Sequence, residues 1–223
     1  MTVVAYQGAP GSFSERAARR LAGKRATLVG CRSFEAVFSA LRRGRADCAV
    51  VPVENAIVGP LPFLRGRSVR IVRRTTVAVD LALLGIPAAR LRDVRRILGH
   101  PVALAQCNRL LRGRRVEPVW DGAGILVDVV RRSDPSVAVI ASRRAARAAG
   151  ARVLVRDVAD RRRNFTRFAL VVPAEHPVIR VADRTARCAP PERARNRPTR
   201  EHAVERSACL LLRVCAWRRS SCR

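Results

Sequence analysis

The chain has 223 residues, 48% of them hydrophobic, with seven cysteines and a formal net charge of +28. That composition supports a buried core in one domain or two small lobes, offers no run of about 18 apolar residues for a membrane span, and contains neither a CxxC pair nor a Cys/His cluster at metal-ligand spacing, so neither zinc nor a disulfide framework is expected. The charge invites a nucleic-acid reading, yet every basic residue except Lys24 is Arg, the arginines are scattered along the chain, and aromatic residues that could stack on bases are scarce at 4%; no specific nucleic-acid partner is expected.

Residues 1–8 lack the basic segment, apolar run and cleavage site of a signal peptide. The expected compartment is therefore the cytoplasm, where thiols stay reduced. Thr2–Tyr6 reads as the first strand. The Gly8–Gly11 cluster is a turn, and Ser12 with Glu15 three residues on has capping-box spacing, opening a helix over Phe13–Leu21. Thr27–Gly30 is a second strand. Ser33 starts a helix with Phe34, Val37, Phe38 and Leu41 on one face, ended by Gly44. Cys48–Val53 is a continuous apolar run, as in a buried parallel strand. Strand-like runs follow at Val69–Arg73, Val77–Leu84 and Arg96–Leu98. Pro101 suits the first turn of a helix over Val102–Leu111. Then come a strand (Val116–Val119), a helix (Gly122–Arg131), a strand (Ser136–Ile140), a helix (Arg143–Ala149) closed by Gly150, and strands at Val153–Arg156 and Phe168–Val172. This alternation of periods argues for an α/β fold of two doubly wound lobes with a central cleft, where ligands bind beyond the carboxyl ends of strands. The pattern stops after Pro173. Residues 175–223 hold 12 Arg and four Cys, and 174–223 reads as a largely disordered tail.

Four segments fall where strands should end at the cleft. In Gly8-Ala-Pro-Gly11-Ser12-Phe13-Ser14 the glycines permit close backbone approach and the helix start offers N–H groups to an anion; a capped helix after a turn accounts for the same residues. In Val51-Pro-Val-Glu54-Asn55-Ala56 a carboxylate and an amide follow a buried strand, which is costly unless they are paired or used; a turn closed by Asn side-chain bonds is the plainer alternative. Leu98-Gly99-His100-Pro101 opens the helix that carries Gln106 one to two turns in, with His100 a cap or satisfied surface residue rather than a base. Asn164-Phe165-Thr166-Arg167-Phe168 interleaves a polar triplet with two Phe ahead of an apolar strand.

In order and spacing these segments resemble the prephenate dehydratase family, whose pattern is Gly-x-x-Gly-(Ser/Thr)-Phe-Ser, Glu-Asn-Ser-x-x-Gly, Ser-His-Pro-x-x-x-x-Gln-Cys and Asn-x-Thr-Arg-Phe. Ala141-Ser142 with Ala145-Ala146 also looks like the family's Ala-Ser-x-x-Ala-Ala segment. The resemblance covers about residues 3–172. It implies a fold like type II periplasmic binding proteins and a catalytic domain over 1–173, with residues 1 to about 75 and 160–173 in one lobe and about 76–159 in the other. It further implies a hydro-lyase converting prephenate to phenylpyruvate, with loss of water and carbon dioxide, in phenylalanine biosynthesis, as a homodimer and without cofactor or metal. The resemblance assigns the critical hydroxyl contact to Thr166, an orienting role to Glu54, and a carboxylate-binding or loop-ordering role to Arg167. Asn55, Gln106 and the surroundings of Ser12, Gly99 and His100 would bind substrate, with Phe168 packing or touching it. Ala56 and Gly99 stand where the family has Ser, and Arg74 where it has Glu. Arogenate dehydration, or a catalytically weakened small-molecule-binding remnant of the same fold, are the alternatives. No ACT-domain signature is found in residues 175–223, so feedback by phenylalanine is not expected.

Overall fold

The computed structural model describes residues 1–175; from residue 176 onward the expected tail lies outside the described residues. Lobe one opens with β1 (Val3–Gln7), α1 (Phe13–Ala22), β2 (Thr27–Cys31), α2 (Phe34–Arg42) and β3 (Cys48–Asn55). β1 pairs in parallel with both β2 and β3, because each helix crossover brings the chain back in the same direction. Caps fix the helix starts: Ser12 accepts from the Glu15 amide and Ser33 from the Ala36 amide. Glu15 reaches back to the amide of Gly11 rather than of Ser12, so the reciprocal bond closes one residue early. Strand alternation puts Val4, Tyr6 and Val50 against Ala17, Ala18 and Leu21 of α1, and Ala5, Ala49 and Val51 against Val37, Phe38 and Leu41 of α2. Covered on both faces, β3 can read as one apolar run.

A two-residue strand, β4 (Gly59–Pro60), closes β3 into a hairpin, and a 3₁₀ turn at Pro62–Leu64 leads to β5 (Val69–Ala78). The break expected between Arg73 and Val77 is absent. β5 runs through Arg74, Thr75 and Thr76, paired along its whole length with β11 (Phe165–Pro173), and the chain breaks instead at Val79-Asp80. At a sheet edge alternate side chains meet solvent, so a polar stretch is no obstacle, and Thr favours strand.

Lobe two follows: β6 (Leu81–Gly85), a 3₁₀ turn at Leu91–Asp93, β7 (Arg96–Gly99), α3 (Pro101–Leu104), α4 (Asn108–Leu111), β8 (Arg115–Pro118), α5 (Gly122–Arg132), β9 (Val137–Ser142), α6 (Arg143–Ala149) and β10 (Arg152–Val155). Its sheet has the order β10-β6-β9-β7-β8, parallel across β9-β7-β8 and antiparallel at β6. The chain then returns, and β11 enters the first sheet between β3 and β5, antiparallel to both. The fold is thus α/β with two lobes, joined where the chain crosses after Ala78 and again before Phe165.

The single helix expected over Val102–Leu111 is two separate turns, broken at Ala105–Cys107. Asp160, in the returning segment, accounts for the break. Its carboxylate accepts from the backbone amides of Asn108 and Arg109, and its own amide donates to Gln106 O, so α4 is capped from outside rather than continued from α3. Burial alone would raise the Asp160 pKa; the N–H bonds from Arg109 and Asn108 outweigh it and leave the pKa lowered.

Candidate active site

A cavity of about 130 Å³ lies between the lobes, walled by strand ends and by the first residues of helices from both sheets, Ser12 and Phe13 of lobe one and Asp121 and Ser142 of lobe two among them. This is where α/β sheets place ligands.

The strand pair β3–β11 supplies its most polar wall. Thr166 stands opposite Asn55 and Arg167 opposite Glu54, but Phe168 stands opposite Pro52, leaving Val53 unpaired as a β-bulge. Residues directly opposite in an antiparallel pair share a face. Simple alternation would put Glu54 on the face of Pro52; the extra residue exchanges the two and turns Asn55 to the face of Thr166 and Phe168. Glu54 and Arg167 point the other way. They form an ion pair of 2.8 Å, each about half exposed, and neither lines the cavity. A pair so hydrated contributes little stability.

Thr166 and Phe168 line the cavity, and Thr166 lies within β11, which begins at Phe165 rather than at the expected Phe168. Its Oγ1 accepts from Asn55 Nδ2 at 2.9 Å. Asn55 is buried behind Thr166 and does not reach the cavity: its Nδ2 also donates to Phe165 O, and its Oδ1 accepts from the Ile57 and Val58 amides, closing the hairpin. Asn164 Oδ1 accepts weakly from Asn55 at 3.4 Å, and Asn164 Nδ2 donates to Gln106 Oε1 at 2.7 Å. Gln106 sits in the break between α3 and α4, lines the cavity, and donates to Val102 O. Thr166, Asn55 and Gln106 are therefore one network, with Asn164 as the link. Asn164 belongs to the motif but not to the residues singled out beforehand.

His100 lines the cavity as the N-cap of α3, its Nδ1 accepting from the Val102 amide at 3.2 Å. Desolvation lowers its pKa to about 4, so at neutral pH it is an uncharged acceptor. Ser12 also lines the cavity as the cap of α1. Gly99 does not: it is buried, and a Cβ there would lie 2.8 Å from Leu104 Cδ2, so the Leu104 side chain fills the space of the family's serine. Cys107 is fully buried, and burial raises its thiol pKa to about 12, too high for a thiolate nucleophile.

Sequence reasoning also missed Asp121, Trp120 and the pair Phe34–Phe63, whose rings stack 3.9 Å apart on the cavity wall. Asp121 left a signal, an N-cap acid ahead of Gly122; nothing local marks the others as cleft residues. Among the described residues at the cavity, Asp121 is the one carboxylic acid, and no Arg or Lys joins it. No cluster of three His, Cys, Asp or Glu among the described residues could hold a metal ion, and no described helix is long and apolar enough to cross a membrane.

Two mixed sheets, each wound by helices and sharing one cleft, define a two-lobed α/β protein. Within that class the chain belongs to the prephenate dehydratase family, whose description, Prephenate dehydratase, matches residues 4–176. It is 35% identical over 182 residues to arogenate dehydratase/prephenate dehydratase 2, chloroplastic, of Arabidopsis thaliana, covering 79% of this chain and 47% of that protein. It is 35% identical over 172 residues to a bifunctional N-acyl-homoserine lactone acylase/prephenate dehydratase of Komagataeibacter europaeus, covering 74% and 61%. Its structure is similar to that of prephenate dehydratase from Arthrobacter aurescens in complex with L-Phe, with TM-score 0.66 and 26% identity over 86% of this chain and 63% of that one. The chain spans about half the length of the plant relatives it matches.

Proposed function

We propose that the chain is a hydro-lyase that converts prephenate to phenylpyruvate. The observation that carries this is the Thr166 hydroxyl, only 7% exposed on the cavity wall, with its oxygen already accepting from Asn55. That bond leaves the Thr166 O–H as a donor to the cleft. In the reaction the bond from the ring to its carboxylate breaks and carbon dioxide leaves. The freed electron pair enters the ring, and the C–O bond at the opposite carbon breaks, its oxygen leaving as water once protonated. Aromatisation drives the process, so the protein has to orient the substrate and assist the departing hydroxyl. Threonine is too weak an acid to donate unaided; it bonds the leaving oxygen or relays a proton to it. Asn55 and Asn164 hold Thr166 in place, and Gln106 bonds the substrate. The first amides of α1, at Phe13 and Ser14, have no intrahelical acceptor and suit a carboxylate, with the surroundings of Ser12 and His100 completing that end. The Glu54–Arg167 pair orders β11 without touching substrate. A homodimer acting in the cytoplasm belongs to the same proposal; the dimer rests on the family likeness, whereas the compartment does not, the plant relatives being named chloroplastic.

Arogenate, with an amino group in place of the keto group, is a second substrate to weigh, because the acidic side chain at the cavity is Asp121, which favours an ammonium over a carbonyl. The test is to incubate the purified protein with each compound, following phenylpyruvate by absorbance and phenylalanine by chromatography. Turnover of neither would end the proposal. Thr166→Ala should lower kcat by about 10²–10³-fold with an unfolding midpoint close to that of the wild type; full activity in that variant removes Thr166 from the chemistry.

A further inference from the structure

We infer that the Gly8–Gly11 turn is an interlobe latch and that Ser142 is its positioning residue, holding the α1 end of the cleft in register with lobe two. Its kinetic readout rests on the dehydratase proposal; its structural readout does not.

Three hydrogen bonds join residues 7–11 of lobe one to two parts of lobe two, the Trp120-Asp121 approach to α5 and Ser142 at the start of α6. Gln7 Nε2 donates to Trp120 O at 2.8 Å, Ala9 N donates to Asp121 Oδ2 at 2.7 Å, and Gly11 O accepts from Ser142 Oγ at 2.6 Å. Ser142 is buried, and its hydroxyl is used in both senses, since Oγ also accepts from the Ala145 amide at 2.9 Å. Threonine could reproduce both bonds; alanine would leave the Gly11 carbonyl without its donor.

Packing supports the same assignment. Gly11 has φ +88°, and a Cβ there would lie 2.7 Å from Ala145 Cα and 2.9 Å from Ala145 N. These are backbone atoms of α6, with no flexible end to swing aside. A Cβ at Gly124 would lie 2.7 Å from Asp121 Oδ2, the atom that holds Ala9. Ala9 itself packs against the lobe-two core formed in part by Ala123, Leu126 and Ala145. Gly11 thus lets its backbone approach α6 across the lobe boundary, and Gly124 leaves room for the Asp121 carboxylate that holds Ala9. The turn runs directly into Ser12, Phe13 and Ser14, which wall the cavity. Its docking therefore sets where those groups stand relative to lobe two, and the Gly-x-x-Gly spacing serves the lobe boundary rather than a ligand.

The experiment compares wild type, Ser142→Ala and Ser142→Thr in the full chain. Hydrogen exchange is followed at residues 7–12, and KM and kcat are measured with whichever of prephenate and arogenate is turned over. Ser142→Ala should accelerate exchange in that segment and raise KM about five- to tenfold, for one lost hydrogen bond, with kcat changed less; Ser142→Thr should restore both. Unchanged exchange overturns the latch, and faster exchange with unchanged KM overturns the positioning role. If neither substrate is consumed, exchange alone decides the latch, while the dehydratase proposal fails separately. Should Ser142→Ala not fold, Gln7→Met, which removes a latch bond from lobe one at similar volume, must accelerate exchange of the Ala9 amide or the latch is wrong.

Discussion

His100 shows how one side chain can be legible in type and informative beyond it. The Gly-His-Pro run marks it as a helix cap, and it caps α3; its low pKa comes from surroundings that a sequence cannot display. Imidazole titrates near 6.5 when unfolded and near 4 here, so folding favours the neutral ring. Stability from this group is complete above pH 6.5 and is lost as pH falls from there toward 4. Protonation also converts Nδ1 from acceptor to donor and so removes the cap to Val102. The thermal midpoint should fall through that window in the wild type and stay flatter in His100→Asn, whose cap does not titrate; parallel curves would show that His100 is not responsible. Asp160, with its pKa lowered, gives up its contribution only at still lower pH, which keeps the two effects apart. Asn164 is the opposite case. In sequence it opens the Asn-x-Thr-Arg-Phe motif, but its partners Gln106 and Asn55 lie 58 and 109 positions away, so no local signal could have named it as the link.

Among the elements, those with their own period and caps were readable: α1 and α2 begin at the expected serines, and β3 is the expected apolar run. What failed was decided from a distance. The α3–α4 break comes from Asp160, some fifty residues on, and the continuity of β5 comes from its pairing with β11. The bulge at Val53 is the most consequential of these, because a strand pattern read two by two assigns Glu54 to the cleft and sends Asn55 away from it. Deleting Val53 would remove the extra residue yet leave Asn55 two positions from Pro52, still on the face of Thr166. Asn55→Leu, by contrast, would leave Thr166 and the Ile57 and Val58 amides without their partner, at a cost of about 1–3 kcal/mol for each group left unsatisfied. Asn55→Leu is expected to lose more than 10²-fold in kcat/KM and several degrees in melting temperature; a variant that keeps wild-type kinetics would show that the Asn55–Thr166 bond does not set the site.

For the whole molecule, a two-lobed α/β architecture followed from the alternation of periods and the family resemblance, but the insertion of β11 between β3 and β5 did not. The last described strand lies inside the first sheet, and among the described residues β5 pairs with no other strand. The second sheet is assembled from one uninterrupted stretch, residues 81–155, whereas the first draws on segments separated by that entire insertion. During synthesis the inserted half can therefore acquire its structure on the ribosome while the outer half waits for its final piece to emerge. Pulse-labelled refolding should show protected amides in β6 and β9 before β3 and β5; simultaneous protection of both sheets would exclude this order. The waiting half exposes Val50, Val51 and their neighbours in the interval, which makes the interruption of the N-terminal sheet the point in the protein's life at which it is most exposed to aggregation and most in need of a chaperone.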